Sequence, residues 1–184
     1  MTKFAVTHRG TVYPWQCDHM DHMNVMWYVG KFDEASWQLL SALGLTRQRF
    51  RNDGAGMAAV EQHVDYKREL HAGDVISIRS AVLEVKDKAI RITHEMRNDE
   101  TGELVAVTVT VGVYLNTASK KARSLPSDIQ ERAKLMISSG NIEHTDFEPA
   151  SELETRTAGF TSPSGAQDTA SSAYPMAMVL GPCW

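Results

Sequence analysis

With 184 residues, 42% of them hydrophobic and 23% charged, the chain is long enough for one well-buried core and short for two. Its formal net charge of −4 argues against a surface built for nucleic acid or an anionic membrane, although a local basic patch for a phosphorylated ligand is compatible with it. No apolar run approaches the roughly 20 residues that span a bilayer and no signal peptide is visible, so we expect a cytoplasmic protein.

The first elements along the chain are a strand and one long helix, with a polar loop between them. Extended segments at residues 4–6 and 11–17 are separated by a break near Gly10. Residues 25–43 then place apolar side chains at helical spacing, and the polar face of this helix includes Lys31. Asn24 stands where an N-cap residue would accept a hydrogen bond from the first helical turn.

The middle of the chain changes to the period of two that is typical of β-strands. Residues 51–56 are rich in Asn, Asp and Gly and predict a loop. Strands are predicted at residues 57–70, 75–85, 90–97 and 104–115. Residues 99–102 predict a tight turn, so the last two strands should form an antiparallel hairpin. The pattern predicts an α+β fold, a first strand and a meander of about four more on one helix, whose open sheet edges favour a homo-oligomer.

The C-terminal part has a different character. Residues 126–137 predict a short helix with Pro126 near its start. Residues 138–184 are rich in Ser, Thr, Gly, Ala and Pro without a sustained period, which is typical of a tail or a loosely docked extension. We therefore expect a domain at residues 1–137 and an extension after it, whose apolar stretch at residues 176–180 could dock on the sheet or on a partner subunit.

The polar run from Asp18 to Asn24 contains the best candidates for chemistry. A carboxylate beside a helix N-terminus can attack a carbonyl, or activate water against it, while the unpaired N–H groups receive the oxyanion. Asp18 is a candidate for that carboxylate, or it is only a turn former between strand and helix. His22 could orient a substrate or bind backbone, and Asn24 could be a helix cap alone.

Other kinds of site fit this run less well. His19, Asp21 and His22 suggest a metal site, but their spacing matches no closed site and no second ligand cluster follows, so we expect no metal. Cys17 could be a thiol nucleophile or a small strand residue, and in a reducing compartment we expect no disulfide with Cys183. The aromatic residues near the run belong to the core or form a cage for a quaternary ammonium group. They are Trp15, Trp27, Tyr28, Phe32 and Trp37.

Two segments together resemble the active-site motifs of a known family. The run D-H-M-D-H-M-N-V-M-W-Y at residues 18–28 is similar to the catalytic segment of hot-dog-fold acyl-CoA thioesterases of the 4-hydroxybenzoyl-CoA thioesterase type. The run from His63 to Asp74 is similar to the strand and turn x-Y-x-R-x-x-x-x-G-D of the same group. The resemblance covers roughly residues 4–118. It implies a curved antiparallel sheet around one long helix, with dimers whose active sites lie at the subunit interface.

The resemblance implies a hydrolase that cleaves a coenzyme A thioester, with that thioester as substrate and no cofactor. It assigns the reacting carboxylate to Asp18, supporting polar positions to His22 and Asn24, and the oxyanion donor to the backbone N–H of Val25. A second group of residues would bind the acyl group and the coenzyme. These are Trp15, Trp27, Tyr28, His63, Tyr66, Lys67 and Arg68, with Lys121 and Arg123 as further candidates for the phosphates.

Two positions depart from the family pattern. Asp21 stands where glycine is usual, and Gln16 stands where many relatives have another acid. Residues 15–37 are also similar to thioesterases of carnitine and betaine catabolism, which suggests a short cationic substrate such as betainyl-CoA. The alternatives are a hot-dog hydratase or dehydratase, whose G-D-x-N-P-type strand start is absent, and a non-catalytic acyl-CoA-binding protein. We expect a homodimer or homotetramer without nucleic-acid or membrane partners.

Overall fold

The computed structural model describes residues 4–137 and 178–180, which form one antiparallel sheet and three helices. The strands are β1 (Ala5–Thr11), β2 (Ala55–Tyr66), β3 (Val75–Val85), β4 (Ala89–Asn98), β5 (Leu104–Asn116) and β6 (Met178–Leu180). Their order in the sheet is β1-β3-β4-β5-β2-β6. The helices are α1 (Val25–Ala42), α2 (Arg47–Asp53) and α3 (Ser127–Leu135). Among these helices none has the length and apolarity to cross a membrane.

Helix α1 begins at a capped residue and buries one face against the sheet. The side-chain oxygen of Asn24 accepts a hydrogen bond from the N–H of Met26 at 3.1 Å, which confirms the predicted N-cap. Phe32 and Leu39 are fully buried on the sheet side. Each such side chain contributes about 1.5–3 kcal/mol through removal of apolar surface from water, so the stripe keeps α1 on the sheet.

Lys31 lies on the buried side of α1, so its predicted place on the polar face is wrong. Only 7% of its surface is exposed, and its ammonium group donates to the carbonyl of Thr11 at 3.4 Å. Burial lowers the pKa of Lys31, an effect that the charge of Glu34 partly offsets. The long aliphatic stem of lysine can cover apolar surface while its charged end reaches a polar partner, and here that partner is the end of β1.

The N-terminal strand also differs from the prediction. Strand β1 runs unbroken through Gly10, which pairs with Ile76 of β3, and it ends at Thr11. Residues 12–17 form no strand, and Cys17 makes only an isolated bridge to Met23. Pro14 has no N–H to donate to a sheet and instead begins a 3₁₀ turn at Pro14–Gln16. Glycine suits position 10 because a Cβ there would lie 2.8 Å from Nε2 of His8.

The predicted loop at residues 51–56 is wrong because α2 occupies its first half and β2 begins at its end. Thr46 starts α2 by accepting a hydrogen bond from the N–H of Arg49 at 3.2 Å. Gly54 ends the helix in the left-handed region, with φ of 56°. The Asn-Asp-Gly run that suggested a loop is therefore the C-terminus of a short helix.

The bounds of the remaining strands agree with the prediction better than their order in the sheet does. Strand β3 has the predicted bounds, β4 and β5 pair as the predicted hairpin, and β2 ends at residue 66 rather than 70. However, β2 pairs with β5 and not with β3, so a meander of four consecutive strands is wrong. Residues 178–180 of the predicted apolar stretch pair with β2 as β6. The other residues of the predicted extension lie outside the described part of the chain.

Because β2 and β3 lie far apart in the sheet, the chain between them must cross past the helix. This β2–β3 connection, residues 67–74, contributes Leu70 to a buried cluster around the N-terminal half of α1. Met23, just before α1, belongs to the same cluster. The polar run at residues 18–24 is thus packed against the β2–β3 connection.

Helix α3, predicted at residues 126–137, starts after Pro126 and buries Ile129 in a second cluster near the C-terminal half of α1.

Candidate active site

The Asp18 loop, residues 18–22, closes on itself just before α1. The N–H of Asp18 donates to the carbonyl of His22 at 3.1 Å, and the N–H of Asp21 donates to the carbonyl of Asp18 at 3.0 Å. Carboxylate oxygen Oδ1 of Asp18 accepts the N–H of Met20 at 2.9 Å. Within the described residues its other oxygen, Oδ2, accepts no hydrogen bond. The loop therefore holds the carboxylate by one oxygen and leaves the other for a reactant.

His22 lies between two carboxylates. Its Nδ1 is 3.9 Å from Oδ1 of Asp18, and its Nε2 is 3.8 Å from Oε1 of Glu69. Both distances exceed a hydrogen bond, so these are close approaches that small side-chain rotations would shorten. Glu69 belongs to the β2–β3 connection and is absent from the predicted site, because the family-like pattern leaves its position unspecified.

Asp21 has a left-handed backbone, with φ of 64°. Glycine adopts this conformation at little cost, and Asp and Asn tolerate it better than other side chains. The conformation explains both why the family pattern has glycine here and why aspartate can replace it. The carbonyl of Asp21 accepts a hydrogen bond from Nδ1 of His71 at 3.0 Å, which fixes this residue against the β2–β3 connection.

The first turn of α1 has one N–H available to a reactant. The N–H groups of Met26 and Trp27 donate to the side chain and carbonyl of Asn24 at 3.1 and 2.9 Å. The N–H of Val25 donates to no atom of the described residues. Asn24 itself is anchored, because its N–H donates to the carbonyl of the buried Gln16 at 2.9 Å. Asn24 thus acts as the helix cap, and the oxyanion role of the Val25 N–H stays a prediction.

The two family-like segments come together in the structure. The N–H of Met23 donates to the carbonyl of Leu70 at 2.7 Å, and the hydroxyl of Tyr28 donates to the carbonyl of Arg68 at 3.3 Å. The ring of Tyr28 meets that of Tyr66 edge to face at 5.3 Å. Burial raises the pKa of Tyr28 to about 12, so its phenol stays protonated and keeps donating this hydrogen bond.

Two predicted substrate residues, His63 and Arg68, have side chains that contact other carboxylates. His63 lies three residues from Tyr66 on β2 and so faces the opposite side of the sheet, where its ring is 3.3 Å from the carboxylate of Asp65. The guanidinium of Arg68 turns toward Glu103 at 3.6 Å.

The distal basic residue Arg123 is also engaged elsewhere. It donates to the carbonyl of Asp53 at 3.0 Å and lies 5.5 Å from the ring centre of Tyr114, near the far end of α1. Lys121 lies two residues before Arg123, where its carbonyl accepts the N–H of Asn116, while Lys67 lies in the β2–β3 connection. Of the four basic candidates, Lys67 and Arg68 are therefore the two on the side of the Asp18 loop.

The aromatic residues of the predicted cage separate into pairs. Trp15 is 68% exposed and stacks on Tyr13 with ring centres 4.4 Å apart. Trp27 is partly buried against the cluster around the N-terminal half of α1. Phe32 packs on His94, and Trp37 packs on Phe50. These pairs do not form one cage within the described residues, and the exposed rings nearest to the loop in sequence are those of Trp15 and Tyr13.

A metal site and a thiol nucleophile are the two alternatives to a catalytic carboxylate, and each can be compared with the described residues. Residues 4–137 contain no group of three His, Cys, Asp or Glu side chains that could hold a metal ion. The thiol of Cys17 points to the carbonyl of Tyr13 at 3.9 Å rather than to an imidazole that could activate it. Cys183 lies outside the described residues.

Comparison with known proteins gives a family and two kinds of relative. The family model described as Thioesterase-like superfamily matches residues 12–133. The L-carnitine dehydrogenase/betainyl-CoA thioesterase of Agrobacterium fabrum is 27% identical over 109 residues, 59% of this chain and 22% of that protein. The betainyl-CoA thioesterase of Pseudomonas aeruginosa is 19% identical over 136 residues, 74% of this chain and 86% of that protein. The chain thus spans less than a quarter of the first relative and most of the second.

Solved structures share the fold. A hypothetical protein from Staphylococcus aureus in complex with CoA has a TM-score of 0.70 at 18% identity, covering 79% of this chain and 97% of that chain. A 1,4-dihydroxy-2-naphthoyl-CoA thioesterase from Synechocystis has a TM-score of 0.63 at 20% identity, covering 70% and 95%. These likenesses confirm the predicted hot-dog fold, an antiparallel sheet curved around the long helix α1.

Proposed function

We propose that this chain, which belongs to the thioesterase-like superfamily, hydrolyses acyl-CoA thioesters and that the carboxylate of Asp18 performs the reaction. The observation that supports this role is the way Asp18 is held, by Oδ1 on the N–H of Met20, with Oδ2 left for a reactant. A thioester has a good leaving group. Its hydrolysis therefore depends mainly on an oriented carboxylate and on donors for the oxyanion.

In this mechanism Asp18 acts as a general base. It takes a proton from water, the water oxygen attacks the thioester carbon, and the oxyanion forms at the N–H of Val25. The carbon–sulfur bond then breaks, coenzyme A leaves as a thiolate and receives a proton, and the carboxylic acid is released. Single turnover in ¹⁸O-labelled water tests the step, because direct attack by Asp18 forms a mixed anhydride, and water that opens it at the Asp18 carbonyl leaves ¹⁸O in that side chain.

The acyl group that we propose is short and ends in a trimethylammonium cation, as in betainyl-CoA. The two curated relatives support this choice, as does the exposed carboxylate that Asp21 adds to the Asp18 loop. The exposed rings of Trp15 and Tyr66 offer faces for cation–π contacts, each worth about 0.5–2 kcal/mol or roughly a 2- to 30-fold change in binding. Lys67 and Arg68 would lie nearest to the phosphates of the coenzyme.

A thiol-release assay with a matched pair of substrates tests this choice. Betainyl-CoA and 3,3-dimethylbutyryl-CoA have the same shape and differ in one atom, a cationic nitrogen or a neutral carbon. We expect kcat/KM to be at least about tenfold higher for the cationic ester, the scale of one or two cation contacts. Equal values would remove the betainyl assignment, while hydrolysis of other acyl-CoA esters would keep the hydrolase assignment.

We also propose that a second copy of the chain covers the surface around the Asp18 loop. Five large apolar side chains close together in the sequence are exposed there, more than a solvated loop would carry. They are Tyr13, Trp15, Met20, Val25 and Met26. Light scattering should give a dimer or a tetramer, and Met26→Lys should weaken it. Val6→Lys, at another exposed apolar position, is the control; a wild-type monomer would contradict the proposal.

A further inference from the structure

A second carboxylate, that of Glu69, faces the candidate active site from the β2–β3 connection. We propose that Glu69 is a positioning residue for the hydrolysis, which holds the imidazole of His22 so that Nδ1 faces Asp18. The distances are 3.8 Å from Glu69 to Nε2 and 3.9 Å from Nδ1 to Asp18. The inference rests on the proposed role of Asp18 and adds a residue that the family-like motifs leave unspecified.

The backbone on both sides of Glu69 is anchored to the Asp18 loop and to α1. The carbonyl of Arg68 accepts the hydroxyl of Tyr28 at 3.3 Å, and the carbonyl of Leu70 accepts the N–H of Met23 at 2.7 Å. The carboxylate of Glu69 therefore extends from a fixed point, although its end is 69% exposed. A side chain with a fixed origin loses less entropy when it orients its partner.

Within the described residues no lysine or arginine forms an ion pair with Glu69. The guanidinium of Arg68, its neighbour in the sequence, lies 3.6 Å from Glu103 instead. The groups around the imidazole are thus Asp18 on the loop and Glu69 on the β2–β3 connection, with Asp21 close by in the chain. Two different segments of the chain thus place a carboxylate within 4 Å of the ring, one on each side.

This arrangement has a chemical consequence. When Glu69 accepts the hydrogen of Nε2, the lone pair of Nδ1 is left on the side of Asp18. The proton that Oδ2 of Asp18 takes from water can pass to Nδ1 when the carboxyl group turns, because Nδ1 lies 3.9 Å from Oδ1. This restores the carboxylate, and the proton then moves on to the departing thiolate. Water thus supplies hydroxide to the acyl group and a proton to coenzyme A. Without Glu69 the ring can turn away, and Nδ1 faces Asp18 for only part of the time.

A double-mutant cycle tests whether Glu69 acts through His22. With betainyl-CoA, and acetyl-CoA as a neutral substrate, we expect Glu69→Ala to lower kcat about tenfold with KM within about twofold. His22→Ala should lower kcat at least as much, and the double variant should be no slower than His22→Ala. Glu100→Ala, which removes an exposed carboxylate of the β4–β5 turn and leaves the Arg68–Glu103 pair intact, is the matched control. Losses that add, or a rise in KM for betainyl-CoA alone, would overturn the proposal.

Nitrogen NMR of the histidine rings tests the contact without relying on activity. The His22 signals are identified as those missing from the spectrum of His22→Gln. We expect Glu69→Ala to move the Nε2 signal of His22, and Glu100→Ala to leave it in place. An unmoved signal would overturn the positioning role. If the wild type hydrolyses no acyl-CoA ester, the proposed function fails, and this spectrum still decides whether Glu69 contacts His22.

Discussion

His94 and Ser36 connect the sheet to the central helix, with Nε2 of His94 2.9 Å from Oγ of Ser36 inside the core. Ser36 uses its own hydrogen on the carbonyl of Phe32 at 2.9 Å, so its oxygen accepts the hydrogen of Nε2. Nδ1 is then the acceptor and bonds to the hydroxyl of Ser80 on β3. The two hydroxyls therefore hold a neutral imidazole in one tautomer.

This neutral ring predicts how stability depends on pH. Burial lowers the pKa of His94 to about 3 from an ordinary value of 6.5. The contribution of neutral His94 to the free energy of unfolding is thus complete above pH 6.5. It is lost as the pH falls from 6.5 toward 3, at up to about 1.4 kcal/mol per pH unit. Urea unfolding between pH 7 and 4 measures the slope, which His94→Gln should reduce and His19→Gln should not. An equal slope in His94→Gln would contradict the assignment.

The backbone of Asp21 gives a prediction that separates strain from charge. Asp21→Asn keeps a residue that tolerates φ of 64° and removes only the charge, whereas Asp21→Ala keeps no such tolerance. We expect the alanine variant to lose about 1 kcal/mol of stability and the asparagine variant to unfold like the wild type. The asparagine variant should show a lower preference for betainyl-CoA over its neutral isostere. An unchanged preference would mean that Asp21 does not contact the acyl cation.

The oxyanion role of Val25 can be tested by removing one N–H. Val25 is the first residue of α1, where proline is well tolerated, and Asn24 before it has the extended backbone that a following proline requires. Val25→Pro should therefore fold normally and lower kcat about 10²- to 10³-fold, the usual loss for one oxyanion donor. Val25→Ala keeps the N–H and should remain close to wild type. A proline variant with wild-type kcat would remove Val25 from the mechanism.

Local signals predicted α1 and its cap well. Asn24 followed by helical apolar spacing is sufficient, because capping and amphipathicity depend on neighbouring residues. The same logic missed α2, since its seven residues end in Asn-Asp-Gly, a run equally typical of turns. It also placed Lys31 on the exposed face, because the contact of its ammonium group with the carbonyl of Thr11 depends on tertiary packing that no local pattern shows.

The long-range arrangement was harder to predict from the sequence. Alternation in β5 separates two faces but does not say which one meets the helix. Val111 and Val113 lie on the face away from α1, while Thr110 and Tyr114 face it. In the site, Asp18, His22 and Asn24 were predicted from one short run. Glu69 was not, because its contact with His22 depends on how β2 and β3 are connected.

The measurement that tests the account most directly is thiol release by the wild type and Asp18→Asn across a panel of acyl-CoA esters. The asparagine side chain can still accept the N–H of Met20, so the loop and the melting temperature should be unchanged. We predict that hydrolysis falls at least about a hundredfold, the scale of losing an acid/base group. Near-normal hydrolysis by the folded Asp18→Asn variant would contradict the central role of Asp18.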